Sequence, residues 1–457
     1  MSRTIRVATL AAFGLLASSH AASGRTSLLR DGAPTGPSTL RLHVTDESGG
    51  DVPARVRLVP TDTAKRAAQL LQGATRSMVI SGNASVRVQP GSYDVWVSRG
   101  PRHSMKRLRL QLQAGSVTTE RVVLRELIPL PDHLCVDLHV HTSRSEDAHE
   151  EGGVSAVDLA AEGLDVAIAT DHNVVGAMDG DLPSLPGVEV TSWAPEIGHF
   201  NAFPVQALPR FKDTTPRDLF RELHSNPHTF VQINHPRLDD HIAFFTLGGL
   251  RESHFTKPHF GVDGADGIEV FNGYDIARPE QVLSVLAEVT ALHETGHRLT
   301  VTGGSDSHGR PGHVPGYPRT CVRTRNMGDL SRQLIAGDAF VTNGPLLDLR
   351  VQGATPGHRV HPDADGSVRV ELSVKSHPGV TPERVEIHAG RNVALSVPFQ
   401  PDARGEQRLS VRAQLHGART VHARVVGGSG LDPFVERWDA TPLAFTNPVY
   451  LRGAGSH

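Results

Sequence analysis

The chain has 457 residues, which at roughly 100–200 residues per domain implies about two to four domains and excludes a single small module. Apolar residues make up 38% and glycine adds 45 positions, an ordinary globular content that excludes wholesale disorder. Lys and Arg (46) nearly balance Asp and Glu (49), so a net charge of −3 gives no general drive toward nucleic acid or an anionic membrane; the 26 histidines are the unusual feature.

Arg3 and Arg6 precede an apolar run over 7–17 and the small residues Ser19 and Ala21, the pattern of a secretory signal peptide at 1–21. That run is too short to cross a bilayer, and no later stretch is long and uncharged enough, so a periplasmic or secreted chain without a membrane anchor is expected. Only two cysteines follow, Cys135 and Cys321, which could bridge in an oxidising compartment. Over 38–128 short alternating runs ("LRLHV", "ASVRVQ", "SYDVWVSRG", "RLRLQLQAG") predict a small antiparallel β-sandwich. Its "GSYDVWVSRGP" and "DESGGDVPARVRL" segments resemble the transthyretin-like or carboxypeptidase-regulatory type of β module, and the basic run 101–110 reads as a solvated face.

From 131 to 345 the texture changes to strands alternating with helices. "VSAVDLAAEGLD" leads into "VAIAT", a helix capped by Thr215 leads into "TFVQIN", and "RPEQVLSVLAEVTALHETGHR" leads into "LTVTGG". "MGDLSRQLIAG" then leads into "DAFVTNG". This rhythm predicts an α/β domain with a parallel sheet or barrel. Over 346–453 the alternation returns ("SVRVELSVKS", "RVEIHAG", "TVHARVVGG") and predicts a second, C-terminal β-sandwich.

Within 131–345 the His, Asp and Glu residues gather where predicted strands end. "DLHVHT" sets His139 and His141 two apart, so on a strand both side chains share one face. The loop "SRSEDAHE" offers Asp147, with Glu146 and Glu150 as acidic neighbours. "ATDHN" supplies His172, "PGVEVTS" Glu189, "GHFNAF" His199, "QINHPR" His235, and "GGSDSHG" Asp306 and His308, again two apart. Nine such donors suit two or three divalent metal ions of the Mn2+, Fe2+ or Zn2+ kind, and the lack of thiolates beyond Cys135 argues against a structural zinc cage. Asn201, Arg237 and Asn272 adjoin these motifs as candidates for orienting a small-molecule substrate, Arg237 by forking onto phosphate or carboxylate. His308 or His172, where not bound to metal, is the candidate proton donor to the leaving group. His241, His254 and His259 are read as parts of a long loop, and Asp171 as support for the ligands around it.

Together these segments resemble the PHP (polymerase and histidinol phosphatase) superfamily of metal-dependent hydrolases over about 200 residues of the chain. "TDHN", "VEVTS", "GHFNAF", "NHPR", "IEVFNG" and "GGSDSHG" are most similar to its CehA/McbA-type branch. The resemblance implies a distorted (β/α)7 barrel, here flanked by the N-terminal and C-terminal β-sandwiches. It implies a first ion on His139, His141, Glu189 and Asp306, a second on His199, His235 and a bridging Glu189, and a third on Asp147, His172 and His308. The expected chemistry is hydrolysis by a water ionised between two cations, without a side-chain nucleophile. In keeping with this, the chain has neither a G-x-S-x-G elbow nor a G-x-x-x-x-G-K-[ST] phosphate loop. Phosphoesters are the leading substrate class, esters, amides or carbamates the alternative, and a noncatalytic metal-binding scaffold the reading of a different kind. A polymerase-associated proofreading role conflicts with the signal segment and the flanking β domains.

Overall fold

The computed structural model describes residues 36–62, 76–150, 152–193, 196–238, 241–310 and 312–452. The expected signal peptide at 1–21 lies outside them. At the N-terminal end, strict alternation builds two sheets around one apolar core. Leu40, Leu42 and Val44 of strand Ser38–Thr45 point inward against Val56 and Leu58 of Pro53–Pro60 and Val95 and Val97 of Gly91–Ser98. One sheet runs in the order Asn83–Val88, Ser38–Thr45, Val117–Val123, and the other Arg76–Ser81, Pro53–Pro60, Gly91–Ser98, Lys106–Leu112. All pairs are antiparallel except Ser38–Thr45 with Val117–Val123, which is parallel.

The expected (β/α)7 barrel is not what the chain forms. The protein is mostly β, with 42% strand against 13% helix, and its strands fall into several separate sheets. Among the described residues there are six α-helices, of which only Pro279–Glu294 is long. A sheet of five strands runs in the order Val188–Trp193, Glu196–Phe203, Phe230–Ile233, Gly267–Asn272, Thr300–Gly304. Its first three strands pair antiparallel and its last three parallel. Among the described residues, the crossover through Pro279–Glu294 is thus the one place where a long helix joins two parallel neighbours. The strand Leu134–Val136 instead pairs antiparallel with Arg319–Val322, which pairs antiparallel with Ala339–Thr342. That ladder continues through Leu443–Thr446 and Thr420–Ser429 into a nine-stranded sheet. Alternation of helix and strand favours parallel pairing but does not fix it, and short helices such as Ala156–Ala161 and Leu330–Ala336 do not oblige their flanking strands to run parallel.

Cys135 and Cys321 face each other across the antiparallel pair and form a disulfide, with Cα atoms 4.0 Å apart. Beneath the five-stranded sheet lie Val190, Phe200, Ile233, Val270 and Val301, packed in one core with Leu431, Phe434 and Phe445 near the C-terminus. Glu189 and Asn201, paired next to Val190 and Phe200 on the first two strands, point to the opposite face and begin the polar centre. No helix among the described residues is long and apolar enough to cross a membrane.

Candidate metal centre

The centre is assembled from two paired strands, which carry Glu189 and His199, and from segments and loops that follow other strands. His139 and His141 flank Val140, which bridges in parallel to Ser307, so an extended segment presents both rings on one side. Glu189 and Thr191 share a face of Val188–Trp193, and His199 sits opposite Thr191 on the neighbouring strand. His235 follows strand Phe230–Ile233 and Asp306 follows Thr300–Gly304, both at positive φ (26° and 53°). Side chains rarely adopt that region, and such strain concentrates where a side chain must be aimed. Gly304 leaves the space this requires: a Cβ there would lie 2.5 Å from His139 Cβ and 2.9 Å from Glu269 Oε1.

Glu189 is the hub. Its carboxylate is fully buried, and five imidazole nitrogens lie 3.0–3.6 Å from its oxygens: His139, His141, His172, His199 and His235. Asp306 stands 3.4 Å from His139 Nε2 and 3.2 Å from His141 Nε2. Asp147 gathers the outer pair, with His308 Nε2 at 2.7 Å and His172 Nε2 at 3.4 Å. Glu146 and Glu150 are exposed. All nine expected ligands therefore converge in one place, in four overlapping groups whose donor atoms are mutually close enough to hold a metal ion.

The donor set fits divalent cations. Metal–ligand bonds of about 2.1 Å make donor-to-donor edges of roughly 3.0 Å in an octahedron and 3.4 Å in a tetrahedron, the spacings found around Glu189 and Asp306. His139 Nε2, His141 Nε2 and Glu189 Oε2 are buried and have no hydrogen-bond partner among the described residues, a costly arrangement that a coordinated cation relieves. The outer partners fix tautomers to match. His139 Nδ1 donates to Glu269 Oε1 at 3.0 Å, and His308 Nδ1 donates to the Asp306 carbonyl at 2.8 Å, leaving each Nε2 lone pair directed inward.

Burial works against every charge here, and the opposite charges around it decide the outcome. Burial raises the carboxyl groups of Glu189, Asp306 and Asp147, yet the imidazoles beside them hold all three well below the ordinary carboxylate range. Burial likewise lowers His172, but Glu189 and Asp147 override it and raise the ring to about 9. His139, among Asp306, Glu269 and Glu189, is also raised, whereas burial prevails at His141 and His199, which are lowered.

The candidates for orienting a substrate are placed as supports. Asn201 donates to the Leu138 carbonyl at 2.8 Å and accepts from Asn234, which in turn donates to Glu189 Oε1 at 2.9 Å. Asn272 donates to Glu269 and to Asp306 Oδ2 at 3.0 and 3.1 Å. Arg237 points to a bidentate pair with Glu288 at 2.8 and 3.1 Å and lies over the Phe245 ring. Asp171 accepts from Thr142 N and Oγ1 beside His141, and His241, His254 and His259 are exposed and outside the four donor groups.

Glu269 is a buried acid braced against the donor cluster that the sequence alone does not single out. It is 1% exposed, accepts from His139, from His235 N at 2.8 Å and from Asn272, and so fixes three members of the centre at once. A carboxylate inside the otherwise apolar strand "GIEVF" was the available signal, because an acid on a wholly buried strand needs a polar reason to be there. Thr191 on His172 Nδ1 (2.7 Å) and Ser145 on His141 Nδ1 (3.0 Å) carried no such signal. The chain matches no protein-family model, and no curated protein matches it.

Proposed function

We propose that the protein is a metal-dependent hydrolase whose substrate is a phosphoester. The observation that carries this reading is Glu189, one buried carboxylate shared by five imidazoles at coordination-edge spacing. Divalent cations held by these residues would supply Lewis-acid activation of water and offset charge on a substrate oxygen. The protein's share of the work is orientation. Glu269 and the Asp306 carbonyl fix ring tautomers, while Asn234 and Asn272 hold the Glu189 and Asp306 carboxylates at the angles their partners need.

We assign two cations to the buried donors His139, His141, Glu189, His199, His235 and Asp306. Asp147, His172 and His308 take a third, or His308 and His172 serve the leaving group as proton donors; metal counting separates the two cases. A site of several cations serves a dianionic phosphate better than a neutral carbamate, which ranks phosphoesters first. The motif resemblance to PHP hydrolases supports the reading, though the barrel expected with it is absent and the donor geometry carries the weight. A leader-like start and the Cys135–Cys321 bridge support an exported protein.

The test is turnover of a generic phosphomonoester, a phosphodiester and an aryl carbamate by protein loaded with Mn2+, Fe2+ or Zn2+, alongside Glu189→Ala. Phosphate release that disappears in the variant is the expected result. Cleavage of the carbamate alone overturns the phosphoester assignment, and metal binding without turnover of any of the three leaves a scaffold.

A further inference from the structure

Strand Gly267–Asn272 runs into a short 3-10 turn, Gly273–Asp275, beside the metal donors. Asn272 ties the two together: its Nδ2 donates to Asp306 Oδ2 at 3.1 Å, and its Oδ1 accepts from Tyr274 N at 2.9 Å. The turn is pressed onto the segment that carries Asp306, so closely that a Cβ on Gly273 would stand 2.1 Å from the Ser305 carbonyl oxygen. Only a residue without a side chain allows that approach. His313 is held to the same segment from further along the chain, its carbonyl accepting from Ser307 Oγ at 2.6 Å. The two rings then meet edge to face, with centroids 4.7 Å apart at 78°. Tyr274 is therefore fixed twice against the segment that supplies Asp306 and His308, once through Asn272 and once through His313.

What is fixed is an unspent donor. Tyr274 is 36% exposed, and its hydroxyl makes no hydrogen bond among the described residues. Burial of the phenol raises its pKa above the ordinary tyrosine value and Asp306 raises it further, Arg310 opposes them, and Asp147 adds to the rise. The hydroxyl thus keeps its proton at neutral pH. Asp306 belongs to the inner donors and Asp147 to the outer ones, so carboxylates of both groups act on one accessible O–H. An uncharged donor at such a rim suits an anion that the bare carboxylates would repel. The chemistry of the proposed substrate supplies one. A phosphomonoester has three non-bridging oxygens; a pair of cations engages two of them, and the third is left for a donor from the protein.

We propose that the Tyr274 hydroxyl is a substrate contact, donating a hydrogen bond to a non-bridging oxygen of a phosphomonoester seated at the metal centre. This rests on the hydrolase reading and narrows its substrate class from phosphoesters to monoesters. The test uses Tyr274→Phe, which keeps the ring on His313 and removes only the donor. The Mn2+-loaded full chain, freed of unbound metal, is titrated with inorganic phosphate by isothermal calorimetry, and kcat and KM for a generic phosphomonoester are measured beside it. In the variant the phosphate Kd should rise and kcat/KM fall, each by about tenfold or more, with metal content unchanged; the factor is that of one hydrogen bond to a charged group. Equal phosphate affinity in the two proteins, or no phosphate binding by the wild type, overturns the proposal. Loss of bound metal in the variant also overturns it, because Tyr274 would then hold the centre together rather than contact substrate. Tyrosine-dependent phosphate binding without any turnover by the wild type keeps the contact and removes the hydrolase reading. Turnover that Tyr274→Phe leaves unchanged does the opposite.

Discussion

Around Glu189, buried imidazoles are interleaved with carboxylates; on the strands Thr381–Ala389 and Thr420–Ser429, buried imidazoles meet each other. His388 and His422 stand directly opposite across that antiparallel pair, their rings stacked 5.0 Å apart at 16°. The one nearby acid, Glu386, is also bound by Arg424. Both rings are pulled below the ordinary histidine range, His422 furthest: burial leads at each, followed by Arg424 at His388 and by His388, His293 and Arg424 at His422. His172, somewhat less enclosed by protein, moves the other way because two carboxylates face it. Histidine content alone therefore does not mark a metal site. Acid and imidazole donors at 3.0–3.6 Å, with nitrogen lone pairs left unengaged, do.

The change with the largest expected effect is at the hub. Glu189→Gln removes the one charge shared by all five rings, and we expect loss of at least one bound ion and a fall in turnover well beyond the roughly 10–100-fold typical of residues that merely support ligands. Metal analysis of the purified variant beside its kinetics checks this; full metal occupancy would remove Glu189 from the centre. Chelation is the milder form of the same break. Cations held at a hundred times their Kd stabilise the fold by about 2.7 kcal/mol, so a chelator should lower the melting temperature and added Mn2+ or Zn2+ restore it.

Much of the centre was legible because its residues advertise themselves in one dimension. The pairs His139/His141 and Asp306/His308 sit two apart, where an extended chain must put both on one side, and the donors at 172, 189, 199 and 235 each end or occupy a strand-like run. The fold was legible only where local pattern suffices. Strands Ser38–Thr45 and Pro53–Pro60 alternate cleanly and form the sheets that alternation predicts. The barrel expectation failed because pairing is a long-range choice: Leu134–Val136 takes Arg319–Val322 as an antiparallel neighbour, far along the chain. Arg237 shows the same limit at the level of one side chain. A guanidinium beside a ligand motif suits an anion, but Glu288, distant in sequence, is the group it meets.

A tenfold to hundredfold effect is expected one layer out, at Glu269. Glu269→Gln keeps an oxygen for His139 Nδ1, but its amide nitrogen then faces the donors His235 N and Asn272 Nδ2, placing donor against donor. Metal affinity should fall while all nine ligands remain, as a chelator-competition titration would show. Unchanged affinity would mean that Glu269 only fills space.

Acid and alkali should separate the two histidine regions. Burial holds His293, beside the His388/His422 pair, at about 4, whereas in the unfolded chain it titrates near 6.5. Between those values the unfolded state binds more protons, so stability falls as pH drops from 6.5 toward 4, with or without metal. His172 contributes with opposite sign. Raised to about 9 in the metal-free protein, it stabilises fully below 6.5, and that contribution is lost as pH climbs through 9. Metal ligation requires the deprotonated ring, so this alkaline loss should vanish from urea-unfolding curves once cations are bound while the acid loss stays. An alkaline loss of equal size in both forms would place His172 outside the coordinated set.

The smallest effect is expected at the stacked pair. The His422 side chain makes no hydrogen bond among the described residues; its ring stacks on His388 and borders a cavity of about 210 Å³ lined also by Leu283, Leu286 and Val393. Phenylalanine at this position forfeits no polar partner and has space for its extra atoms, so His422→Phe should shift unfolding free energy by less than about 1.5 kcal/mol. Metal content should not change at all. That pairing of results, set against Glu189→Gln, isolates the carboxylate as the element that makes imidazoles into ligands. A loss of bound metal in His422→Phe would instead connect the two regions and dissolve the distinction between them.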